Sequence, residues 1–335
     1  MADIGIDLGT ATVLVYDSVK GLLIKEPSVV AIDAGSGEVL KVGEEAFKMI
    51  GRTPDRIRAL YPLKDGVISD FDQTEQMLRF FLKKASEGTL SKPRVCICVP
   101  SGITGVESRA CVNAAVSAGA RKVYLIEEPV AAALGAGLDL AVPRGRFILD
   151  MGGGTTDIAV LSLNGIVCKK SIKLAGRKLD DAIVRAVRQK FNVLIGEKMA
   201  ERVKIEIGSV HYDTEKEMEV KGRNLHTGLP QKFTLRTGDI YDALMEEIMQ
   251  IVTAVQQILE ITPPELAADI LEDGLIMTGG GAQLDGLDRL ISEHAKIGVR
   301  LAERPEECVA IGTALSFSKL DELYDGFVTP STHTH

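Results

Sequence analysis

The sequence predicts an α/β protein in which one unit is used twice and a ligand is gripped in the cleft between the copies. Three observations carry that expectation. A hairpin pattern with a glycine-bearing tip occurs at residues 3–17, DIGIDLGTATVLVYD, and again at 146–163, RFILDMGGGTTDIAVLSL. Aligning the two tips puts Asp7 on Asp150 and Gly9 on Gly152. The stretch 95–137 reads strand, turn, helix, strand, turn and Ala-rich helix, and the same order returns over 275–317, so the duplication extends beyond the hairpins. With 335 residues, 45% of them hydrophobic, the chain is long enough for two domains with their own cores.

In chain order, Ile4 and Ile6 lead to Asp7, a turn follows at 9–12, and Val13 to Tyr16 return as the second strand. Residues 29–64 interrupt the first unit with short strands in SVVAID and EVLKVG, a helix EEAFKMIG and a proline-punctuated return through RTPDRIRALYPLKDG. RVCICVP is a strand in which Cys96 and Cys98 alternate onto one buried layer. The five cysteines, odd in number and without C-x-x-C spacing, are small buried hydrophobes rather than metal ligands. Glu128-Pro129 followed by Ala132 and Gly135 parallels Arg304-Pro305 followed by Val309 and Gly312.

Residues 178–243 interrupt the second unit with helical GEKMAERVKIEIG and a strand pair, MEVKGR and QKFTLR, joined by NLHTGLP. Between Gly238 and Ile261 the residues Ile240, Leu244, Ile248, Ile251, Val255 and Ile258 form a stripe of helical spacing that reads as core packing. TPPELAADI stops that helix and begins another short element. LIMTGGGAQLDGL is a third glycine turn, with a strand from Leu275 to Met277, glycines from Gly279 to Gly281, and a helix expected to begin beside the turn. The expected domains are 1–140 together with 315–335, carrying the insertion at about 29–64, and 141–314, carrying the insertion at about 178–243.

The chemistry follows from the tips. Glycines 152 to 154 remove every Cβ from the turn, so backbone N–H groups can converge on an anion, and the Thr155 and Thr156 hydroxyls add donors. Asp150 suits a hard cation accompanying that anion, most simply Mg²⁺ carried by a polyphosphate. A single glycine triplet can equally be a plain corner; its repetition points to two hairpins holding a polyphosphate from both sides of a cleft. Glu201 and Lys204 share a helix face at i, i+3. They read either as a surface ion pair worth about 0.3 kcal/mol or, beside a nucleotide, as a hold on ribose and base. The net charge of -8 argues against a nucleic-acid surface. No tract approaches a membrane span and no charged-then-apolar leader precedes Asp3, which places the protein in the cytoplasm, and the tail carrying His333 and His335 reads as disordered.

IDLGTATVLVY, IEEPVAAALGAG, LDMGGGTTDIAVL, IMTGGGA and CVAIGTAL resemble the phosphate-one, connect-one, phosphate-two, adenosine and connect-two motifs of the actin, sugar-kinase and heat-shock chaperone superfamily. More narrowly, EPSVVAID, VGEEA, GRTP, PLKDGVISDF, KPRVCICVPSGIT, LIGEKMAERVKIEIG, GLP and TPPELAADI are similar to the bacterial actins MreB and Mbl, in order from about Asp3 to Leu320. The resemblance implies an actin-like ATPase fold in four subdomains with Mg-ATP in the central cleft. Carried over by position, Asp7 and Asp150 would hold the Mg²⁺, through water. Gly9, Thr10, Ala11 and Thr12, with Gly152, Gly153, Gly154 and Thr155, would cradle the phosphates. Glu201, Arg202, Val203 and Lys204 would meet the ribose and base, and Gly279, Gly280, Gly281, Ala282 and Gln283 the adenosine. Glu128, where actin has glutamine, would direct the attacking water and so joins Asp7 and Asp150 as a catalytic residue. Its alternative is a structural acid favoured by the dipole at its helix N-terminus.

The family also implies a filament of like subunits at the inner face of the cell membrane, working with the cell-wall elongation proteins MreC, MreD, RodZ and RodA to set rod shape. Two departures stand out. Gly9-Thr10-Ala11-Thr12 replaces the commoner GTAN, and in the loop SEGTLSKP, expected to touch membrane, Leu90 is the only large apolar residue. At about 25 cal/mol per Å² one leucine buries too little to hold a monomer on a bilayer, so membrane binding would rest on the avidity of a filament. A chaperone would append a substrate-binding domain, whereas only 321–335 follows Leu320, and a sugar kinase would place a substrate-side base in the cleft. The reading is therefore an ATP-hydrolysing filament protein, with a small-molecule kinase or a non-polymerising or non-hydrolysing protein on the same fold as alternatives.

Overall fold

The structure, a computed structural model, describes residues 3–87, 91–320, 322–323 and 326–328. Leu90 and the histidine tail lie outside the described residues. The first half opens with a meander, β1 (Asp3–Leu8), β2 (Thr12–Asp17) and β3 (Gly21–Pro27). Its insertion is β4 (Val30–Asp33), β5 (Val39–Val42), α1 (Glu44–Met49) and β6 (Ile57–Leu60), with strand order β5-β4-β6. β6 lies where only an irregular return was expected. It pairs along β4 because Ile57 and Ala59 complete a small separate core with Val29, Ala31 and Ala46. Then come a short hairpin, β7 (Leu63–Lys64) and β8 (Val67–Ile68), followed by α2 (Phe71–Ala85), β9 (Arg94–Val99), α3 (Gly105–Ser117), β10 (Lys122–Glu127) and α4 (Glu128–Gly135).

The second half repeats the scheme with β11 (Arg146–Met151), β12 (Thr156–Ser162) and β13 (Gly165–Ile172). α5 (Gly176–Phe191), β14 (Val193–Leu194), α6 (Glu197–Ile207), β15 (Glu217–Asn224) and β16 (Pro230–Arg236) follow. The chain continues through α7 (Thr237–Ile261), α8 (Pro264–Asp273), β17 (Leu275–Thr278), α9 (Leu287–Ala295), β18 (Val299–Leu301), α10 (Cys308–Leu315) and β19 (Phe327–Val328). All six residues of the expected α7 stripe are buried. They join one continuous core with α5, α6 and the strand pair β15–β16, so the second insertion has no core of its own.

The two main sheets show the duplication directly. One runs β19-β10-β9-β1-β2-β3 and the other β13-β12-β11-β17-β18, each an antiparallel meander extended by two strands added in parallel to its first member, with β19 antiparallel at the edge of the first sheet. Cys96 and Cys98 do share one layer, packed with Val130 and Ile148, while Val95 and Ile97 face the other.

α4 and α10 join the halves by exchange: α4 packs on β11 and β12, and α10 packs on β1 and β2. Their backbones touch. A Cβ at Gly135 would fall inside the Cys308 carbonyl, and one at Gly312 inside the Ala131 carbonyl. One sequence offset relates both residues of the first contact to those of the second, so the crossing is a local two-fold. Gly312→Ala is expected to lower unfolding stability by about 3 kcal/mol or more, the range of severe overpacking. Gly238→Ala, in open space within α7, should instead add about 0.4–1 kcal/mol. Urea unfolding checks both, and a Gly312→Ala midpoint equal to the parent's would show that the crossing is not backbone-tight.

Candidate functional site

A cleft of about 1020 Å³ lies between the halves, and both hairpin tips reach into it. The tips touch each other, which is why two of the second tip's three glycines have no room for a side chain. A Cβ on Gly153 would come 2.7 Å from the Ala11 Cβ, and one on Gly154 would overlap the Thr10 Oγ1. A third tip, not anticipated from the sequence, completes the floor. β7 and β8 are joined by Asp65 and Gly66, both at positive φ (51° and 78°), the requirement of a tight type I′ turn. Gly66 N–H donates to Thr10 Oγ1 at 2.9 Å, and Lys64 and Asp65 line the cleft. Asp-Gly between apolar residues in LKDGVI was the available signal.

Four acids gather beneath the tips. Asp150, at the end of β11 and 4% exposed, accepts a 2.7 Å hydrogen bond from Thr278 Oγ1. Asp157, fully buried on β12, accepts from the Ser101 N–H at 2.8 Å. Glu128 Oε2 accepts from Thr155 Oγ1 at 3.3 Å, and Asp7 Oδ1 from the Cys98 thiol at 3.4 Å. Desolvation pushes Asp7 up to about 6. It pushes Asp150 up to about 7, with the Asp7 and Asp157 charges adding to the effect. Glu128 is driven well above the usual carboxylate range, by desolvation first and then by the charges of Asp157, Asp150 and Asp7. Burial also raises Asp157, against the bond from Ser101. Neither Glu127 nor Glu128 caps α4: Glu127 is the N-cap residue without a side-chain cap bond, and Glu128, in the first turn, faces Thr155.

On the opposite wall Gly279, at φ 86°, lies against the Met151 backbone, and Gly279, Gly280, Gly281 and Gln283 line the cleft. Ala282 does not; its side chain is buried in the core. The helix expected beside this turn is displaced. A single 3-10 turn occupies Gly281–Gln283 and α9 starts only at Leu287, because Asp285 is drawn into a bridge with Ser209 and accepts from the Val210 N–H at 2.9 Å.

α6 contributes Glu201 and Lys204 to the cleft, together with Glu197 and Gly208 one turn either side. Arg202 and Val203 do not reach it. Helical rotation turns Arg202 to solvent, where it pairs with Glu206 at 2.6 Å, and turns Val203 fully into the core. Lys204 does not pair with Glu201. Its ammonium lies between Asp180 at 2.8 Å and the Gly176 carbonyl at 2.9 Å, and desolvation raises Asp180 to about 6 despite this partner. The cleft mouth is crossed by contacts with no local sequence signal. Lys25 pairs with Glu306, which also accepts from Gln283 at 2.8 Å. The Arg177 guanidinium lies 3.5 Å from the centre of the Tyr61 ring, and Lys198 donates to the Phe47 carbonyl.

The family model described as MreB/Mbl protein matches residues 1–325. The chain belongs to the MreB/Mbl family. It is 50% identical over 323 residues to the cell shape-determining protein Mbl of Bacillus subtilis, covering 96% of this chain and 97% of that protein. To the cell shape-determining protein MreB of Escherichia coli it is 49% identical over 326 residues, covering 95% and 94%. The crystal structure of MreB5 of Spiroplasma citri bound to ADP superposes with a TM-score of 0.90 at 36% identity, covering 95% of this chain and 97% of that one. With AMPPNP the TM-score is 0.88, covering 95% and 96%. The fold is thus the actin-like ATPase fold.

In this MreB/Mbl family member, a glycine cradle free of Cβ atoms facing all-oxygen acidic donors fits a polyphosphate with Mg²⁺. The same acids penalise the protein without them. Asp150 binds its proton more tightly folded than unfolded, so its contribution is fully present below about pH 4 and is lost as pH rises through about 7. With nucleotide absent and divalent cations chelated, Asp150→Asn should flatten the fall in Tm between about pH 5 and about pH 7.5 and add about 1–3 kcal/mol at the upper end. Thermal unfolding across that range checks it; an unchanged pH slope would place the penalty elsewhere.

Proposed function

We propose that this protein binds Mg-ATP in the cleft, hydrolyses it, and assembles with copies of itself into filaments at the inner face of the cell membrane. There, together with the cell-wall elongation machinery, the filaments would direct wall synthesis and set rod shape. The observation that carries the reading is the acid floor under two touching glycine tips. The Spiroplasma citri relative was crystallised with AMPPNP and with ADP, and the two curated relatives are named for cell shape. In this reading domains 1–140 with 315–335 and 141–314 close about the crossing of α4 and α10.

Asp7 and Asp150 would hold Mg²⁺, through water, and the ion would offset charge on the phosphates. The backbone N–H groups of Gly9 to Thr12 and Gly152 to Thr155 bind phosphate oxygens and orient the chain. Glu201 and Lys204 face the ribose and base, and Gly279 to Gly281 with Gln283 face the adenosine. Glu128 orients the attacking water. Desolvation and the Asp157 charge are the larger causes that raise Glu128, and Asp150 and Asp7 add to them, so engaging Asp7 and Asp150 with the cation would remove part of what opposes its ionisation. Positioning and charge stabilisation suffice for such chemistry.

Electron microscopy of the purified protein with ATP on anionic lipid should show filaments; kinase and chaperone readings expect none. Glu128→Ala should slow phosphate release by about 10² to 10⁴-fold, the usual loss for a general base, while ATP affinity barely changes. Its filaments should assemble and then persist, because the ADP state is reached slowly. Release within about twofold of the parent would remove Glu128 from the water-directing role.

A further inference from the structure

Two consecutive acids stand at the junction of β10 and α4, and they meet different fates. Glu128 turns into the cleft. Glu127, with an 11% exposed side chain, turns to the other half, where Lys169 Nζ donates to both its carboxylate oxygens at 2.6 and 2.7 Å. Lys169 stands on β13 opposite Ala159, and Ser171, two residues along, stands opposite Asp157. Lys169 therefore shares a sheet face with the acid nearest Glu128, one pleat further on. The Glu127 N–H is fixed as well, donating to the Gly326 carbonyl at 2.8 Å. Beside this pair the Ser101 N–H, just past β9, reaches Asp157. The ends of β9 and β10 are thus stitched to β12 and β13 beneath the cleft. Neither Glu127 nor Lys169 lines the cleft itself.

We infer that the Glu127–Lys169 pair is a positioning clamp for the hydrolytic step, fixing the first turn of α4 against the opposite sheet so that Glu128 faces the water. The inference rests on the water-directing reading of Glu128. A buried carboxylate that loses its cation cannot stay where it is without a large penalty, so removing Lys169 displaces the residue before Glu128. A displacement of about 1 Å at such a group can cost about 10²-fold in rate. ATP binding, which uses loops the pair does not touch, is spared.

The test measures single-turnover phosphate release and fluorescent ATP-analogue affinity in Lys169→Met, Lys169→Arg, Glu127→Gln, Glu128→Gln and the Lys169→Met/Glu128→Gln double variant. Lys169→Met should slow release by about tenfold or more with affinity within about twofold of the parent, and Lys169→Arg should recover most of the loss. Glu127→Gln removes the charge rather than stranding it, so it folds, and it should show the same split. In the Glu128→Gln background Lys169→Met should cause no further loss, since it acts through the missing carboxylate. An undiminished loss in that background overturns the clamp and leaves Glu128 in place. So does a parental rate in both Lys169→Met and Glu127→Gln, or an equal loss of affinity. A parental rate in Glu128→Gln overturns the water-directing reading and the clamp with it.

Discussion

The contact on which the rest depends is the crossing of α4 and α10, where two helix backbones meet with glycine on each side. Helix axes ordinarily stay about 8–10 Å apart because side chains intervene. Here Gly135 against Cys308 and Gly312 against Ala131 leave no room for a Cβ. Gly5 of β1 is constrained in the same way, since its Cβ would run into Thr313. Because each helix lies on the sheet of the other half, the two halves share a pivot in which backbone packs on backbone. Both walls of the cleft hang from it. α4 begins with Glu128, and α10 begins just after the 3-10 turn Pro305–Glu307, which carries Glu306 beside Gln283.

Above that pivot the molecule balances repulsion against small attractions. Asp7, Glu128, Asp150 and Asp157 converge where desolvation opposes their charge, a feature of sites built to receive positive charge rather than to maximise stability. The halves are held near one another by Lys25–Glu306, Arg177–Tyr61 and Lys198–Phe47 at the mouth. The exposed Lys25–Glu306 pair contributes about 0–1 kcal/mol and a cation–π contact such as Arg177–Tyr61 about 0.5–2 kcal/mol, so closure is within reach of the binding energy of a ligand that touches both walls. Glu127–Lys169, less exposed and at the base of the cleft, is the stiffer link.

The insertions differ in how far they depend on their hosts. One face of the first makes a small core around Val29, Ala31 and Ala46, while Val30, Ile32 and Val42 on its other face join the core of the host sheet. The second shares the large core of α7, α5 and α6, which holds Glu201 and Lys204 rigidly relative to the glycine turn of Gly279. The wall carrying Glu201, Lys204 and Gly279 is therefore built on one continuous core, whereas Tyr61 and Phe47 pack on the small separate cluster.

By itself the sequence determined the duplication, the two glycine hairpins, the α7 stripe and the acids at the strand ends. Each is written in a local pattern: alternation for strands, a 3.6-residue period for α7, and glycine where two tips must touch. Tertiary structure alone decided which residues of each motif line the cleft. Arg202, Val203 and Ala282 belong to cleft-lining segments but point away, because helix rotation and core packing choose the face. β6 forms and α9 is delayed because each segment has a partner elsewhere in the chain, β4 for one and Ser209 with Val210 for the other. Lys204 finds Asp180 rather than Glu201, and Glu127 finds Lys169, across separations at which neither partner leaves a trace in the other's neighbourhood. Local periodicity reports the energy of an element with itself, whereas these pairings belong to energies between elements, which exist only once the sheets have met.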